Sequence, residues 1–253
     1  MSQQILFIQG GGEGTHDTWD DKLVDSLTRE LGDAVEMRYP RMPGEDDPSY
    51  ATWGPAIRRE MAALDEGAIV AGHSVGGTLL IRALAEEPLA ARLGAIVLLA
   101  APFVGEGGWS DDDFEMPSDL GARLPDGVPV HLFHGLADDT APPVHAELYA
   151  RVIPHAQVHL MPGRDHQLGN DLADVATVIR AALISGRAPS APRRHVPSAT
   201  RVQAGDRALD VRVAAVLAEL GLRSQAQPCL WSPEDGRDLR PRRHDGFGRA
   251  DGR

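Results

Sequence analysis

Residues 68–77 read AIVAGHSVGG, and they join a continuously apolar run to a segment of helical period. A run of this kind, Ala68–Ala71, is typical of a strand that is buried on both faces of a parallel sheet. The helical segment extends over Gly76–Ala85. Ser74 therefore lies on a tight turn between a strand and a helix, and the glycines two positions before and after it leave room for that turn.

The same alternation of apolar runs and amphipathic segments extends over residues 1–186. The predicted strands are Ile5–Ile8, Ala34–Met37, Ala68–Ala71, Ala95–Leu99, Val128–Phe133 and Val158–Met161. The predicted helices are Trp19–Leu31, Trp53–Leu64, Gly76–Ala85, Val144–Val152 and Leu172–Leu183. Alternating strands and helices form right-handed crossovers, so we expect an α/β fold: a three-layer αβα sandwich around a mostly parallel, six-stranded sheet.

Charge is divided unequally along the chain. Residues 1–186 contain 29 acidic and 12 basic residues, a formal charge of −17, and residues 187–253 contain 8 acidic and 13 basic residues, a formal charge of +5. The acidic part repels nucleic acids and anionic membrane surfaces, so we expect neither as a partner. We expect residues 1–186 to form one domain and residues 187–253 to be a Pro/Arg-rich tail, mostly disordered, with one helix near residues 206–222.

The compartment is constrained by three further features. No apolar run reaches the ~18 residues of a membrane span, and the first residues lack a secretory signal. The single cysteine, Cys229, cannot form an internal disulfide. We therefore expect a cytoplasmic protein that does not associate with membranes; its oligomeric state is not predicted.

A serine on a strand–helix turn can act as a nucleophile if a base takes its proton, and the chain offers ten histidines. His166 follows the last predicted strand and precedes the last predicted helix, which favours it as the base. His131 and His159 lie within predicted strands and are interpreted as packing or hydrogen-bonded residues. His145 and His155 are interpreted as surface residues.

An acid that orients this base should follow the preceding strand. Residues 134–142 read HGLADDTAP at that place. Asp138 and Asp139 both qualify by location, and the residues alone leave the choice open.

A glycine-rich loop, QGGGEG at residues 9–14, follows the first predicted strand. Glycines allow backbone N–H groups to point into a site, so this loop and Val75 are candidates to bind an oxyanion. Gly11 is the favoured loop donor, with Gly10 or Gly12 as alternatives. The spacing matches neither a dinucleotide-binding nor a P-loop motif.

These four elements, each after its own strand, resemble a small, esterase-like serine hydrolase of the α/β-hydrolase superfamily with a minimal cap. The resemblance covers about residues 4–185. The family's acid motif, H-G-x-x-D-x-x-V-P, matches residues 134–142 with alanine in place of valine, and this match implies Asp138 as the acid. The terminal G-x-x-H motif matches Gly163–His166. Gln9-Gly10 departs from the family's usual His-Gly, and six strands are fewer than in larger relatives.

The resemblance implies that the first strand lies between the second and the third. It implies a hydrolase of carboxylic esters, or of thioesters or small amides, in which Ser74, His166 and Asp138 act through an acyl-enzyme. It implies no metal or organic cofactor, and a small-molecule acyl substrate as the partner. The alternatives are acyl transfer or cofactor-free perhydrolysis on the same triad and, in another class, a catalytically idle interaction protein.

The substrate pocket is predicted least directly. The connection over residues 102–127 is rich in Gly and Asp and longer than usual, which indicates either a functional loop or a solvated acidic loop. The candidate pocket residues are Gly12, His73, Trp109, Phe114 and Arg164; for Trp109 and Phe114 the alternative is a place in the core. Arg164 would bind a substrate carboxylate or pair with Asp165.

Overall fold

The computed structural model describes residues 3–87 and 89–186. The strands are β1 (Gln3–Ile8), β2 (Val35–Arg38), β3 (Ile69–His73), β4 (Ala95–Leu99), β5 (Val130–Gly135) and β6 (Gln157–Met161). The helices are α1 (Asp20–Leu31), α2 (Tyr50–Ala62), α3 (Ser74–Glu86), the short α4 (Leu120–Arg123), α5 (Val144–Val152) and α6 (Ala173–Gly186). The predicted tail, with its helix near residues 206–222, lies outside the described residues.

The six strands form one sheet in the order β2-β1-β3-β4-β5-β6. Every neighbouring pair is parallel. Strand β1 therefore lies between β2 and β3, as the family resemblance implied. The predicted parallel six-stranded sheet is confirmed. Since the carboxyl ends of parallel strands share one edge, the loops that follow β1, β3, β5 and β6 are brought to the same edge of the sheet.

Side chains that alternate along each strand divide between two cores, one on each face of the sheet. In β1, Ile5 and Phe7 pack with α1 and α6. Leu6 and Ile8 point to the other face and pack with α2, α3 and α5. Because both faces are covered, the strands read as continuous apolar runs, and the three-layer prediction is confirmed.

The start of α1 differs from its prediction. The helix begins at Asp20 and not at Trp19, and the Trp19 side chain is 51% exposed. Asp20 occupies the buried face instead and is 0% exposed. Its position is in register with Val24, Leu27 and Leu31, so the helix carries a carboxylate in line with its apolar stripe.

The connection over residues 102–127 is packed against the sheet over part of its length. Phe114, Met116 and Leu120 are buried in the core formed with α2, α3 and α5. The backbone N–H of Tyr50 also binds the Asp113 carboxylate at 2.7 Å. Phe114 is therefore packed in the apolar core, the alternative that the sequence left open, and its place in a substrate pocket stays a prediction. In the described part of the chain, no helix is long and apolar enough to cross a membrane.

Candidate active site

Ser74 stands on a strained turn between β3 and α3. Its φ angle is 51°, in the left-handed region that L residues rarely adopt. Two glycines permit this turn. A Cβ on Gly76 would lie 1.9 Å from the carbonyl oxygen of Gln9, and a Cβ on Gly72 would lie 2.6 Å from the Cα of Gly77. The turn thus requires glycine at both positions and leaves the serine half-buried at the sheet edge.

Three side chains from separate loops form a hydrogen-bonded chain at this edge. His166 Nε2 lies 2.9 Å from Ser74 Oγ. His166 Nδ1 lies 2.8 Å from Asp138 Oδ2. Asp138 follows β5 and His166 follows β6, and both loops leave the sheet at the edge where α3 begins. The structure therefore brings together the serine, histidine and aspartate that the sequence singled out, in an order suited to proton transfer from serine to histidine.

The Asp138 carboxylate is fully engaged. Its Oδ1 accepts the backbone N–H groups of Thr140 and Ala141, at 3.0 and 2.9 Å. Its Oδ2 also lies 3.3 Å from Nε2 of the buried His134. Burial alone would raise the pKa of the Asp138 carboxyl, but the hydrogen bonds from His134 and His166 outweigh burial and hold that pKa well below its usual range. The carboxylate therefore stays ionised and keeps His166 in one orientation.

The neighbouring Asp139 is exposed, whereas Asp138 is buried. Of the two, only Asp138 is in contact with His166, so the geometry favours Asp138.

The surroundings of the His166 imidazole lower its pKa. Burial lowers its pKa, the hydrogen bond with Asp138 offsets this effect in part, and the nearby His73 lowers the pKa further. A lowered pKa keeps Nε2 unprotonated near neutral pH, so it can accept the serine proton.

The three glycine N–H groups that follow Gln9 in the glycine loop differ in their hydrogen bonds. Gly10 donates to the Asp20 carboxylate at 2.7 Å, and Gly12 donates to the carbonyl oxygen of Glu45 at 2.5 Å. The N–H of Gly11 has no acceptor among the residues that the structure describes. Val75 lies in the first turn of α3, where backbone N–H groups lack intrahelical acceptors. A Cβ on Gly11 would lie 3.1 Å from Val75 Cγ1, so the two predicted donors are close neighbours.

Gln9, which replaces the family's usual histidine, is buried and hydrogen-bonded through its side-chain amide. Its Nε2 donates to the Glu45 carboxylate at 2.5 Å, and its Oε1 accepts the backbone N–H of Met42 at 3.1 Å. The side chain thereby ties the glycine loop to the segment that follows β2. Gln9 is 0% exposed, which explains why an amide with both a donor and an acceptor suits this position.

His73 was predicted to line the substrate pocket, and this prediction is wrong. The side chain is 1% exposed. Its Nδ1 lies 2.9 Å from Asp20 Oδ1, and its Nε2 lies 3.0 Å from the carbonyl oxygen of His166. These two hydrogen-bonding partners hold the ring in the protein interior. Asp20 was missed by the sequence analysis, although its place in line with the apolar stripe of α1 was a usable signal.

His145 was interpreted as a surface residue, and this interpretation is wrong. It is 3% exposed, and its Nδ1 accepts the backbone N–H of Phe103 at 2.9 Å. Trp109 packs edge-on against its ring at 5.4 Å between centroids. Helix α5 thus contacts the start of the 102–127 connection through the side chain of His145. His131 and His159 lie 3.3 Å apart between ring nitrogens, as hydrogen-bonded strand residues.

The remaining pocket candidates are scattered. Trp109 lines a cavity of about 350 Å³ with Val104, Gly105, Glu106, Ser110, Asp111, Asp112 and Glu115. This cavity is lined by none of the predicted triad or oxyanion residues. Arg164 pairs with Asp171 at 2.7 Å and not with Asp165. Gly12 is part of the glycine loop and has a φ of 124°. Among the described residues, no group of three or more His, Cys, Asp or Glu is arranged to hold a metal ion.

Comparison with known proteins agrees with this architecture. A model of the alpha/beta hydrolase family matches residues 5–235 of the chain. By sequence, the chain matches no curated protein.

Solved structures share the fold at low sequence identity. The ydeN gene product of B. subtilis aligns with a TM-score of 0.60 and 18% identity, over 72% of this chain and 100% of that chain. Est1E from Butyrivibrio proteoclasticus aligns with a TM-score of 0.57 and 16% identity, over 74% and 89%. A thermophilic esterase from Thermogutta terrifontis aligns with a TM-score of 0.55 and 15% identity, over 74% and 91%. At these identities the likeness shows the fold.

Proposed function

The chain belongs to the alpha/beta hydrolase family, and on this basis we propose that it is a serine hydrolase that cleaves carboxylic esters. The observation that carries the proposal is the continuous hydrogen-bonded chain from Asp138 through His166 to Ser74, with 2.8 Å and 2.9 Å between heavy atoms. A serine on a strained turn, a neutral imidazole and an ionised carboxylate are the three groups that acyl transfer requires.

The first half of the reaction forms an acyl-enzyme. Ser74 Oγ attacks the ester carbonyl as its proton passes to His166 Nε2. The negative charge that develops on the carbonyl oxygen is stabilised by the N–H groups of Val75 and Gly11 and by the amino end of α3. His166 then gives its proton to the leaving alcohol, and the bond between the carbonyl carbon and that alcohol breaks.

The second half repeats these steps with water. His166 takes a proton from water, the resulting hydroxide attacks the acyl-enzyme, and the proton passes to Ser74 as the acid leaves. Asp138 stabilises the imidazolium in both halves without accepting its proton. One ester and one water are consumed, and one acid and one alcohol are released.

The substrate class follows from charge and from the relatives. Residues 1–186 carry a formal charge of −17, which favours neutral or cationic small acyl substrates over polyanions. Est1E has been solved with ferulic acid bound, and the Thermogutta terrifontis esterase with malate bound. A substrate panel should therefore include p-nitrophenyl esters of graded chain length, an aryl ester such as a feruloyl ester, lactones and thioesters.

Labelling with a fluorophosphonate probe tests the nucleophile without knowledge of the substrate. We expect the full-length chain to be labelled at Ser74 and the Ser74→Ala variant to be neither labelled nor active, with an unchanged unfolding temperature. Ser118→Ala, which removes an exposed serine from the 102–127 connection outside the cavity lined by Trp109, is the matched control and should behave as the unmutated chain does. Ester hydrolysis that persists in a folded Ser74→Ala variant would refute the proposal.

A further inference from the structure

A second histidine–carboxylate pair lies buried next to the proposed triad. His73 immediately precedes Ser74, and Asp20 is the first residue of α1. Their side chains are 1% and 0% exposed. His73 Nδ1 lies 2.9 Å from Asp20 Oδ1 and 3.0 Å from Oδ2. A histidine and a carboxylate buried in contact with each other are more costly than apolar residues unless the pair is well bonded, so the pair calls for an explanation.

The partners of the ring fix its protonation state. His73 Nε2 lies 3.0 Å from the backbone carbonyl oxygen of His166, which can only accept a hydrogen bond. Asp20, when ionised, can only accept as well. With Asp20 ionised, as its lowered pKa favours, both ring nitrogens donate, and only the imidazolium form carries hydrogen on both.

The Asp20 carboxylate is also satisfied from other sides. It accepts the backbone N–H of Gly10 at 2.7 Å and the side-chain amide of Gln167 at 3.4 Å. Burial disfavours a charged His73, but the adjacent Asp20 carboxylate outweighs burial and raises the pKa of that imidazole. The pKa of Asp20 is lowered, because contact with the His73 charge outweighs its own burial.

We propose that His73 and Asp20 form a permanent imidazolium–carboxylate pair that positions three active-site segments against one another. His73 is part of the nucleophile turn, Asp20 holds the glycine loop through Gly10, and the His73 ring holds the base loop through the His166 carbonyl. His73 is thus a positioning residue that touches no reacting atom. The consequence for catalysis rests on the proposed function, whereas the charge state of the pair does not.

The pair also acts on the base electrostatically. The rings of His73 and His166 are 5.0 Å apart between centroids. The charged and titratable groups that face His166 are Asp138 at its Nδ1, His134 behind that carboxylate, and His73 with Asp20 beneath. The charge of the adjacent His73 lowers the pKa of His166, so the pair disfavours the imidazolium form of the base.

Asp20→Asn separates charge from position. The asparagine has the same shape, its carbonyl can accept from Gly10, and its amide can donate to Nδ1 of a neutral His73. His73 Nε2–H keeps its bond to the His166 carbonyl. The variant therefore removes both charges and retains the bonds to Gly10, His73 and His166, while the 3.4 Å contact with the Gln167 side-chain amide is lost.

Long-range proton–nitrogen NMR spectra of the ¹⁵N-labelled full chain test the proposal, with the His73 signals assigned by their loss in His73→Gln. In the unmutated chain we expect both ring nitrogens of His73 to be protonated at about pH 8, well above the ordinary histidine pKa of about 6.5. In Asp20→Asn we expect a neutral His73 at that pH, and a titration midpoint of His166 that rises by roughly one pH unit.

The matched control is Asp25→Asn, which removes an exposed carboxylate from the same helix and should leave both histidines unchanged. A neutral His73 at about pH 8 in the unmutated chain would overturn the proposal, even if Asp20→Asn fails to fold. So would a His166 midpoint that a folded Asp20→Asn leaves unchanged. These spectra need no turnover, so an absence of ester hydrolysis or of Ser74 labelling would count against the proposed function alone.

Discussion

The α carbon of Gly76 lies against the carbonyl oxygen of Gln9, so closely that a Cβ on Gly76 would stand 1.9 Å from that oxygen. This contact holds the first turn of α3 against the end of β1, and it therefore fixes the spacing between Ser74 and the glycine loop. We expect Gly76→Ala to lower the free energy of unfolding by about 3 kcal/mol or more, because backbone has to move to admit the methyl group. Urea unfolding followed by fluorescence of the buried Trp53 measures the loss.

Gly127→Ala serves as the control for this substitution. Gly127 has a φ of 71°, but nothing lies within 4 Å of a Cβ placed there. Its cost is limited to the strain of an L residue in the left-handed region, about 1 kcal/mol. Equal losses for the two variants would contradict a steric role for Gly76.

Asp138→Asn tests the acid of the triad. Asparagine keeps its carbonyl oxygen at the N–H groups of Thr140 and Ala141 and therefore presents an NH2 group, which cannot accept, to His166 Nδ1. The imidazole then loses its orientation and the stabilisation of its charged form. We expect kcat/KM for an ester substrate to fall by roughly 10⁴-fold. Asp139→Asn removes the exposed neighbouring carboxylate and should change kcat/KM by less than about twofold. If both variants lose activity equally, the role assigned to Asp138 is wrong.

Thr15→Val tests the oxyanion loop without touching its glycines. Thr15 Oγ1 donates to the carbonyl oxygen of Gly11 at 3.2 Å, and the side chain is buried. Since one hydrogen bond contributes about 1 kcal/mol, loss of this restraint on the Gly11 peptide should lower kcat by roughly fivefold with little change in KM. The exposed Thr18 lies in the same turn, and Thr18→Val should leave kcat unaltered. A rise in KM alone would instead assign Thr15 to substrate binding.

The pH dependence of the reaction follows from the environment of His166. Burial lowers the pKa of this imidazole, and the Asp138 hydrogen bond compensates only in part. Protonated His166 cannot accept the serine proton, so the rate falls as the pH drops through that pKa. We expect the acid limb of kcat/KM to have its midpoint below about pH 6.5, the ordinary histidine value. A midpoint above about pH 7 would show that the carboxylate outweighs burial.

Much of the fold could be predicted from local sequence patterns. Continuously apolar runs separated by amphipathic segments are a direct consequence of a parallel sheet covered on both faces. The candidate triad was accessible for the same reason, because Ser74, Asp138 and His166 each follow a strand and the carboxyl ends of parallel strands meet at one edge. Val128 was placed in β5 wrongly: the strand begins at Val130, after Pro129, which lacks the N–H group that a ladder needs.

What escaped prediction depends on contacts between residues that are distant in sequence. The partner of His73 is 53 positions away, and that of Gln9 is 36 positions away. The periodicity of a sequence does not indicate such pairs. In a sequence pattern, a polar residue that has a buried partner looks the same as a polar residue that faces solvent. His145 was misinterpreted for this reason, since its acceptor role toward Phe103 is not encoded near either residue.

The ionised Asp138 makes the stability of the protein depend on pH in acid. Its folded-state pKa is held below the unfolded value of about 3.9, chiefly because the hydrogen bonds from His134 and His166 outweigh burial. The folded state therefore binds fewer protons than the unfolded state. The stabilisation from this carboxylate is complete well above pH 4 and is lost as the pH falls from about 4 toward 2.

Over that range each such group contributes a slope of about 1.4 kcal/mol per pH unit to the free energy of unfolding. We expect Asp138→Asn to reduce the slope of unfolding free energy against pH by about that amount, in urea titrations between about pH 2.5 and pH 5. His73 does not contribute to this slope, since its raised pKa leaves it protonated in both states there. Asp139→Asn should keep the slope of the unmutated chain, and an equal slope in Asp138→Asn would mean that Asp138 is protonated in the folded protein.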